Sequence, residues 1–509
     1  MTHGLSEDNY VLRALGLFAQ YGDREALIFG RDRMSFEQVR ARTLQLAAAL
    51  RERGVRPGMS VAVLIYLPIE GPALQLALHL LGCRVVWLTL GTGTPAMREY
   101  LTLTAPDFFL YDPRTQDGLG RELASGLDVP VLRLAPDLLT DRPHQPDAVD
   151  LVAPDPESVY QTSGTTGAPK ALVHGNVCFR QALELATRWE PEGHPRLRHL
   201  TVTPLWWSAG TVATMITMAS GGLTVLQDGW EPAVFLRGVE AYRINYAFMS
   251  PPMFYQLLDE PTLSTSDTSS MYMLNVGTAP ILTERLREGV SKFGPVIRIA
   301  YGLSESPYVT ALAAVTDDPR HPERLHSCGT PWGDVRLEIR AEDGTALGPG
   351  EVGEVWVASR LNFTGYVGQP ELTAETLVDG WMRTRDVGYR DVDGYLYLVG
   401  RDQDMIITGQ GSRKIYGRPI EDALTAHPRV RAAAVIGVPD PALVEVVHAY
   451  VVPDGEAVPT VEELRRQVTA ALPEICAPRS VDFVDSLPLV GLGKIDKNAL
   501  RTRYDAEHA

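Results

Sequence analysis

The residues best suited to chemistry lie between Tyr160 and Lys170, where Thr162, Ser163, Thr165 and Thr166 alternate with Gly164 and Gly167, ahead of Ala168, Pro169 and Lys170. Hydroxyl donors, backbone N–H groups left open by glycine and a following ammonium together suit a polyphosphate. This is not the G-x-x-x-x-G-K-[ST] loop, because the two glycines are three apart and Lys170 lies three beyond the second. On composition alone, the same cluster reads equally well as a flexible surface turn. Other constellations fail. The run Gly302-Leu303-Ser304-Glu305-Ser306 lacks the closing glycine of a nucleophile elbow, which argues against a serine hydrolase. His194, His199, His321 and His326 follow no metal-ligand spacing and read as surface or turn residues. Cys83, Cys178, Cys328 and Cys476 lie far apart and read as buried thiols in a reducing compartment.

The elements that must position such a loop alternate along the chain. Ser35 and Gln38 form a capping-box pattern ahead of a helix that Gly54 and Pro57 end. A buried strand is expected over Val61 to Tyr66, a helix over Ala73 to Leu81 and a strand over Val85 to Leu88. The alternation recurs through Val212 to Leu226, which predicts an α/β fold with stacked βαβ sheets covered on both faces. After about residue 350 the texture becomes hairpin-rich, with Gly353 to Ala358 as a strand and Asp393-Gly394 as a turn. From Arg401 on, a helix (Ile420 to Thr425), strands (Ala433 to Val438, His448 to Val452) and a second helix (Val461 to Leu472) have apolar positions enough for their own core. The expected division is therefore 1–400, a large domain with a β-rich subdomain, and 401–509, a small α+β domain.

The chain has 509 residues, 45% hydrophobic and 22% charged, with a net charge of −16. Such an acidic balance argues against nucleic acid or an anionic membrane as partner and favours small molecules. The N-terminus lacks a signal-peptide pattern and no stretch reaches the roughly eighteen apolar residues of a membrane span, so a cytoplasmic protein is expected. A homodimer is left open.

The Tyr160–Lys170 stretch resembles the signature of the adenylate-forming superfamily, which includes acyl- and aryl-CoA synthetases and the adenylation domains of peptide synthetases. Four more segments follow in that family's order: Ala300-Tyr301-Gly302-Leu303-Ser304-Glu305, Thr384-Arg385-Asp386 before Asp393-Gly394-Tyr395, Gly400-Arg401, and Leu489 to Ile495 around Lys494. The resemblance covers nearly the whole chain and implies ATP, Mg²⁺ and, in most relatives, CoA. By it, Thr162 to Gly167 and Lys170 would hold the β- and γ-phosphates, and Tyr301, flanked by Ala300 and Gly302, would stack on adenine. Ser304, usually threonine in relatives, would touch the α-phosphate, and Glu305 would hold Mg²⁺. Asp386 would accept both ribose hydroxyls, Arg401 would reach the ribose, and Lys494 would be the mobile catalytic cation of adenylation. Relatives usually have glycine where Arg385 stands, which leaves open whether the local turn differs.

The resemblance places the acid pocket at Trp206, Trp207 and Ser208, with Met249 and the Gly277-Thr278-Ala279 segment beside it as further pocket and adenine-wall residues. One of the tryptophans is equally suited to the core. With no lysine or arginine in these segments, an apolar or aromatic carboxylic acid is expected. The hinge position is Gln403, where relatives carry an acid or lysine, and the acceptor tunnel would run past Gly409, Gln410 and Gly411, where relatives have a glycine pair. That departure supports adenylation better than CoA transfer. It keeps open an amine or carrier protein as acceptor, or nitrite as the activated acid. A non-catalytic nucleotide-binding module would keep Tyr301 and Asp386 but have no need of Lys494.

Overall fold

The computed structural model of the chain describes residues 9–66, 69–139, 155–162, 170–190, 192–312, 315, 321–408, 413–455, 457–490 and 493–508. Two sheets with parallel centres carry the first three hundred residues. In one, the strands Glu25–Phe29, Leu223–Leu226, Arg198–Thr201, Tyr246–Met249, Met273–Gly277 and Ile297–Leu303 lie side by side in that order. Antiparallel Asp32–Ser35 closes one edge, and Ser306–Leu312 with Thr330–Pro331 the other. In the second, Val131–Arg133, Phe108–Tyr111, Ser60–Leu64, Arg84–Trp87 and Glu157–Thr162 are parallel, and Lys170–Gly175 and Gly365–Tyr366 add antiparallel strands.

The two-residue period of a strand explains the layering. Val61, Val63, Val85 and Trp87 face the large core between the sheets, while Ala62, Leu64, Val86 and Leu88 face outward onto Met97 and Tyr100 of the helix Thr94–Thr104. The middle layer is made of the helices Tyr10–Tyr21, Phe36–Glu52, Gly71–Leu80, Asn176–Trp189 and Ser208–Ala219. Helices Pro232–Tyr242, Pro251–Asp259 and Thr283–Phe293 cover the outer face of the first sheet. The capping box forms as read: Gln38 N donates to Ser35 Oγ at 3.2 Å and Ser35 N to Gln38 Oε1 at 2.8 Å.

Beyond residue 330 the pairing turns antiparallel. Arg336–Arg340, Gly353–Ala358, Trp381–Arg390 and Leu377–Val378 form a third sheet, and Leu396–Arg401 pairs back onto Trp381–Arg390 through the turn holding Gly394, whose φ is +87°. After the short turn Asp402–Asp404, a fourth sheet combines Arg413–Ile415, Ile406–Thr408, Val444–Pro453 and Val430–Asp440 with parallel Ser480–Phe483. Helices Gly417–Thr425 and Val461–Thr469 pack one face of it, and Lys497–His508 the other. Among the described residues, no helix is long and apolar enough to cross a membrane.

Two expectations are corrected. His199 is not a surface or turn residue: it lies in a central strand, 1% exposed, its ring 4.6 Å from that of Tyr246, and burial pushes its pKa down to about 3. The thiols are all free, but only Cys83 and Cys178 are fully buried, while Cys328 and Cys476 are partly exposed by surface.

Candidate active site

Some of the predicted site residues lie at or near the carboxyl ends of parallel strands, where open α/β sheets leave a crevice. Gly277 ends its strand in direct register with Ala300 of the next, so close that a Cβ on Gly277 would collide with the Ala300 carbonyl oxygen. Thr278 follows with φ at +80° and a buried hydroxyl that finds no partner among the described residues. Left-handed backbone at a non-glycine residue is strain of the kind held at binding sites. Gly302 is constrained like Gly277, since a Cβ there would strike the Pro307 carbonyl across the tight hairpin that carries Ser304 and Glu305.

Tyr301, Asp386 and Arg401 form one hydrogen-bonded group. The Tyr301 hydroxyl donates to Asp386 Oδ2 at 2.6 Å, and Arg401 Nε donates to Asp386 Oδ1 at 2.9 Å. Asp386 and Arg401 are direct partners across an antiparallel pair, so the hairpin spacing alone sets them face to face. The Asp386 charge raises the Arg401 pKa, and burial followed by that same charge raises the Tyr301 phenol. Arg385 adopts left-handed backbone, with φ at +60°, although it is not glycine. Among the described residues its guanidinium makes one ion pair, a long contact of 3.7 Å with the exposed Glu375.

The Ser304–Glu305 turn is held from three directions. His174 Nε2 lies 2.7 Å from the Ser304 carbonyl oxygen, Ser208 Oγ donates to the same oxygen at 3.3 Å, and Phe363 N donates to the Glu305 carbonyl at 2.7 Å. Burial pushes the His174 pKa down to about 4, so the ring is neutral and serves as a fixed hydrogen-bonding group. The Glu305 carboxylate accepts one side-chain hydrogen bond among the described residues, from the Tyr366 hydroxyl to Oε1 at 2.8 Å. A hard divalent cation fits that donor set, with phosphate oxygens and water completing the shell around a single carboxylate. Lys170 pairs with Thr162 across antiparallel strands, and its Nζ stands 5.7 Å from the Tyr366 ring centroid.

Lys494 arrives from the far end of the chain. It lies on the two-stranded ribbon Leu489–Val490 with Lys494–Ile495, and Gly493, with φ at +93°, abuts the Pro252 ring. Its residue surface stays solvent-exposed. Desolvation by the nearby protein lowers its pKa; the Arg401 charge lowers it further, and Asp386 and Glu305 oppose the shift. Other contacts join the same parts: Arg418 Nη2 donates to the Ile281 carbonyl at 3.3 Å, and Lys414 pairs with Glu342.

Of the acid-pocket candidates, Trp206 is buried in the inter-sheet core, its ring centroid 6.0 Å from that of Tyr66, and Trp207 is half-buried beside that core. Ser208 starts the helix that touches the Ser304 carbonyl, whereas Met249 packs into the separate core on the outer face of the first sheet. Gln403 is exposed in its turn, and the neighbouring Asp404 pairs with Arg501 at 2.8 Å. Ser163, Gly164, Thr165, Thr166 and Gly167, and likewise Gly409, Gln410 and Gly411, lie outside the described residues. Sequence reasoning missed His174 and Tyr366, whose partners lie 130 and 61 residues away.

Residues 17–367 match the family described as AMP-binding enzyme, and residues 419–494 match the AMP-binding enzyme C-terminal domain. The chain is 37% identical over 367 residues to a medium/long-chain-fatty-acid–CoA ligase, FadD8, of Mycobacterium tuberculosis, covering 70% of this chain and 63% of that protein. It is 33% identical over 487 residues to a feruloyl-CoA synthase of an Amycolatopsis species, covering 94% of this chain and 96% of that one. Among solved structures, the amide bond synthetase McbA from Marinactinospora thermotolerans superposes with a TM-score of 0.87 at 33% identity, covering 96% of this chain and all of that one, at 100%. ATP-bound MatB from Rhodopseudomonas palustris superposes at 0.84 with 26% identity over 97% of this chain and 100% of that one.

Proposed function

The chain belongs to the AMP-binding enzyme family, adenylate-forming enzymes that activate an acid with ATP, and from that premise we propose that it is an acyl- or aryl-CoA ligase for an apolar or aromatic carboxylic acid. In the first half-reaction a carboxylate oxygen attacks the α-phosphorus of ATP. The bond to the bridging oxygen breaks, and pyrophosphate leaves as the acyl-adenylate forms. In the second, the CoA sulfur attacks the acyl carbon, its proton is released and AMP departs.

Each residue has a task that its surroundings suit. Asp386 presents carboxylate oxygens for the ribose diol and Arg401 steadies them; Tyr301 supplies a flat face for adenine. The Ser304 hydroxyl meets the α-phosphate, and Thr162 with Lys170 borders the loop that would take the outer phosphates. Lys494 supplies a cation at the oxygen on which charge develops. Glu305 would hold Mg²⁺, which when bound neutralises phosphate charge. We place the division of the chain at 400/401, with residues 401–509 rotating about Gln403 so that Lys494 serves the first step and the Gly409–Gly411 segment the second. We place the enzyme in the cytoplasm.

One observation carries the reading: Tyr301 and Arg401 both donate to Asp386, and the ribbon that carries Lys494 meets Pro252 through Gly493, a distant lysine that a bare nucleotide-binding module would not need. A second reading, with an amine as acceptor, is favoured by the likeness to an amide bond synthetase over almost the full chain. Pyrophosphate release with aromatic, cyclic and medium-chain acids, with CoA, with amines and with neither, separates the two. Acyl-CoA formed with the acid that releases most pyrophosphate supports the first; amide without thioester replaces it by the second.

A further inference from the structure

The Tyr366 side chain touches both charged partners of the phosphate site. Its hydroxyl donates to Glu305 Oε1 at 2.8 Å and its ring face lies 5.7 Å from the Lys170 ammonium, within the range at which a cation is attracted to a ring. The residue is fixed on its own account. Its backbone pairs with Leu172, two residues from Lys170, its N–H donates to Thr373 Oγ1 at 2.9 Å, and its ring meets that of Phe363 edge-on at 4.7 Å. Phe363 N in turn donates to the Glu305 carbonyl at 2.7 Å, so one short segment grips Glu305 by backbone and by side chain.

We infer that Tyr366 is a positioning residue for metal binding: its hydroxyl occupies Oε1 of Glu305 and leaves the other oxygen for the cation, while its ring face meets the Lys170 ammonium. The inference rests on the proposal that Glu305 is the metal ligand. A carboxylate on a hairpin turn can swing toward a neighbouring cation, and among the described residues the Tyr366 hydroxyl gives the one hydrogen bond to the Glu305 side chain. The hydroxyl removes that freedom. It also leaves Lys170 free to meet a phosphate, because a ring face attracts an ammonium without satisfying its N–H donors. Partners that orient a metal ligand commonly change affinity by roughly ten- to a hundredfold when removed.

The test measures metal binding apart from turnover. Free Mn²⁺, standing in for Mg²⁺, is followed by electron paramagnetic resonance in the presence of ATP and without acid, for the parent, Tyr366→Phe, Tyr366→His and Glu305→Gln. Tyr366→Phe keeps the ring against Phe363 and Lys170. It should weaken Mn²⁺ binding roughly tenfold while the affinity for ATP in a chelator, read by calorimetry, stays within about twofold. Tyr366→His keeps an N–H donor and should fall between the parent and Tyr366→Phe, which also covers the case of an unstable phenylalanine variant. A Mn²⁺ isotherm unchanged in Tyr366→Phe but shifted in Glu305→Gln overturns the role of Tyr366 and leaves that of Glu305 standing. No shift in either overturns both. Equal losses of Mn²⁺ and of metal-free ATP binding in Tyr366→Phe would mark a merely structural residue and also overturn the inference.

Discussion

Asp386 and Arg401 are cross-strand partners whose side chains meet at 2.9 Å, and the carboxylate is 7% exposed against 39% for the guanidinium. A nearly buried acid held by an arginine at the rim of a cleft keeps unused acceptor capacity, since a carboxylate offers about four lone-pair sites. Tyr301 occupies one more of them. What remains suits a vicinal diol.

Asp386→Asn keeps the shape and removes the charge. It should raise KM for ATP about tenfold or more, the scale of a lost charge-assisted hydrogen bond, with a smaller fall in kcat. Steady-state pyrophosphate release checks this, and an unchanged KM for ATP would remove Asp386 from the nucleotide site.

The lowered pKa of Lys494 predicts an alkaline limb. A lysine works here only when charged, so adenylation should fall as pH rises through a value below the ordinary 10.5. The stability sign is opposite to that of a paired lysine. Because the charged form is disfavoured in the fold, stability is penalised at low pH, and the penalty lifts as pH rises from the folded toward the unfolded value. Lys494→Arg, which does not deprotonate in this range, should lack the limb; a limb that persists in that variant belongs to another group.

Gln403 stands in the exposed turn between the third and fourth sheets. Gln403→Pro fixes one φ and should spare adenylation or transfer but not both. Single-turnover assays of acyl-adenylate formation and of its consumption read the two steps separately, and equal loss of both, or of neither, contradicts a hinge there.

Arg385 holds φ at +60° with only a weak surface ion pair in return. Arg385→Gly should leave urea stability equal or raise it by about 1 kcal/mol, and Arg385→Val should lower it by at least as much, because a β-branched residue tolerates that backbone least. The reverse order would mean that the arginine side chain does more than occupy a turn.

What was legible in the sequence follows the range of the forces involved. Local signals came through: the Ser35–Gln38 box, the buried strands around Val61 and Val85, and the Asp393-Gly394 turn each depend on residues a few positions apart. Motif order pointed to Tyr301, Asp386 and Arg401, which are joined by hydrogen bonds in the fold. The residues behind them did not come through. Tyr366 and His174 act on Glu305 and Ser304 from other strands, and no local period marks a tertiary hydrogen bond. His199 was misread because a lone histidine carries no sign of which strand face it takes, and the face beside Tyr246 is closed.

Acid activation through an adenylate, with Lys494 as the delivered cation, is read by acid-dependent exchange of radiolabelled pyrophosphate into ATP, parent against Lys494→Ala. Exchange is expected in the parent with at least one apolar or aromatic acid. In Lys494→Ala, exchange should drop roughly a hundredfold or more while ATP affinity is retained, since a charge met only in the transition state is lost. Exchange in Lys494→Ala at the parent rate, or none in the parent with any acid tried, would contradict that activation.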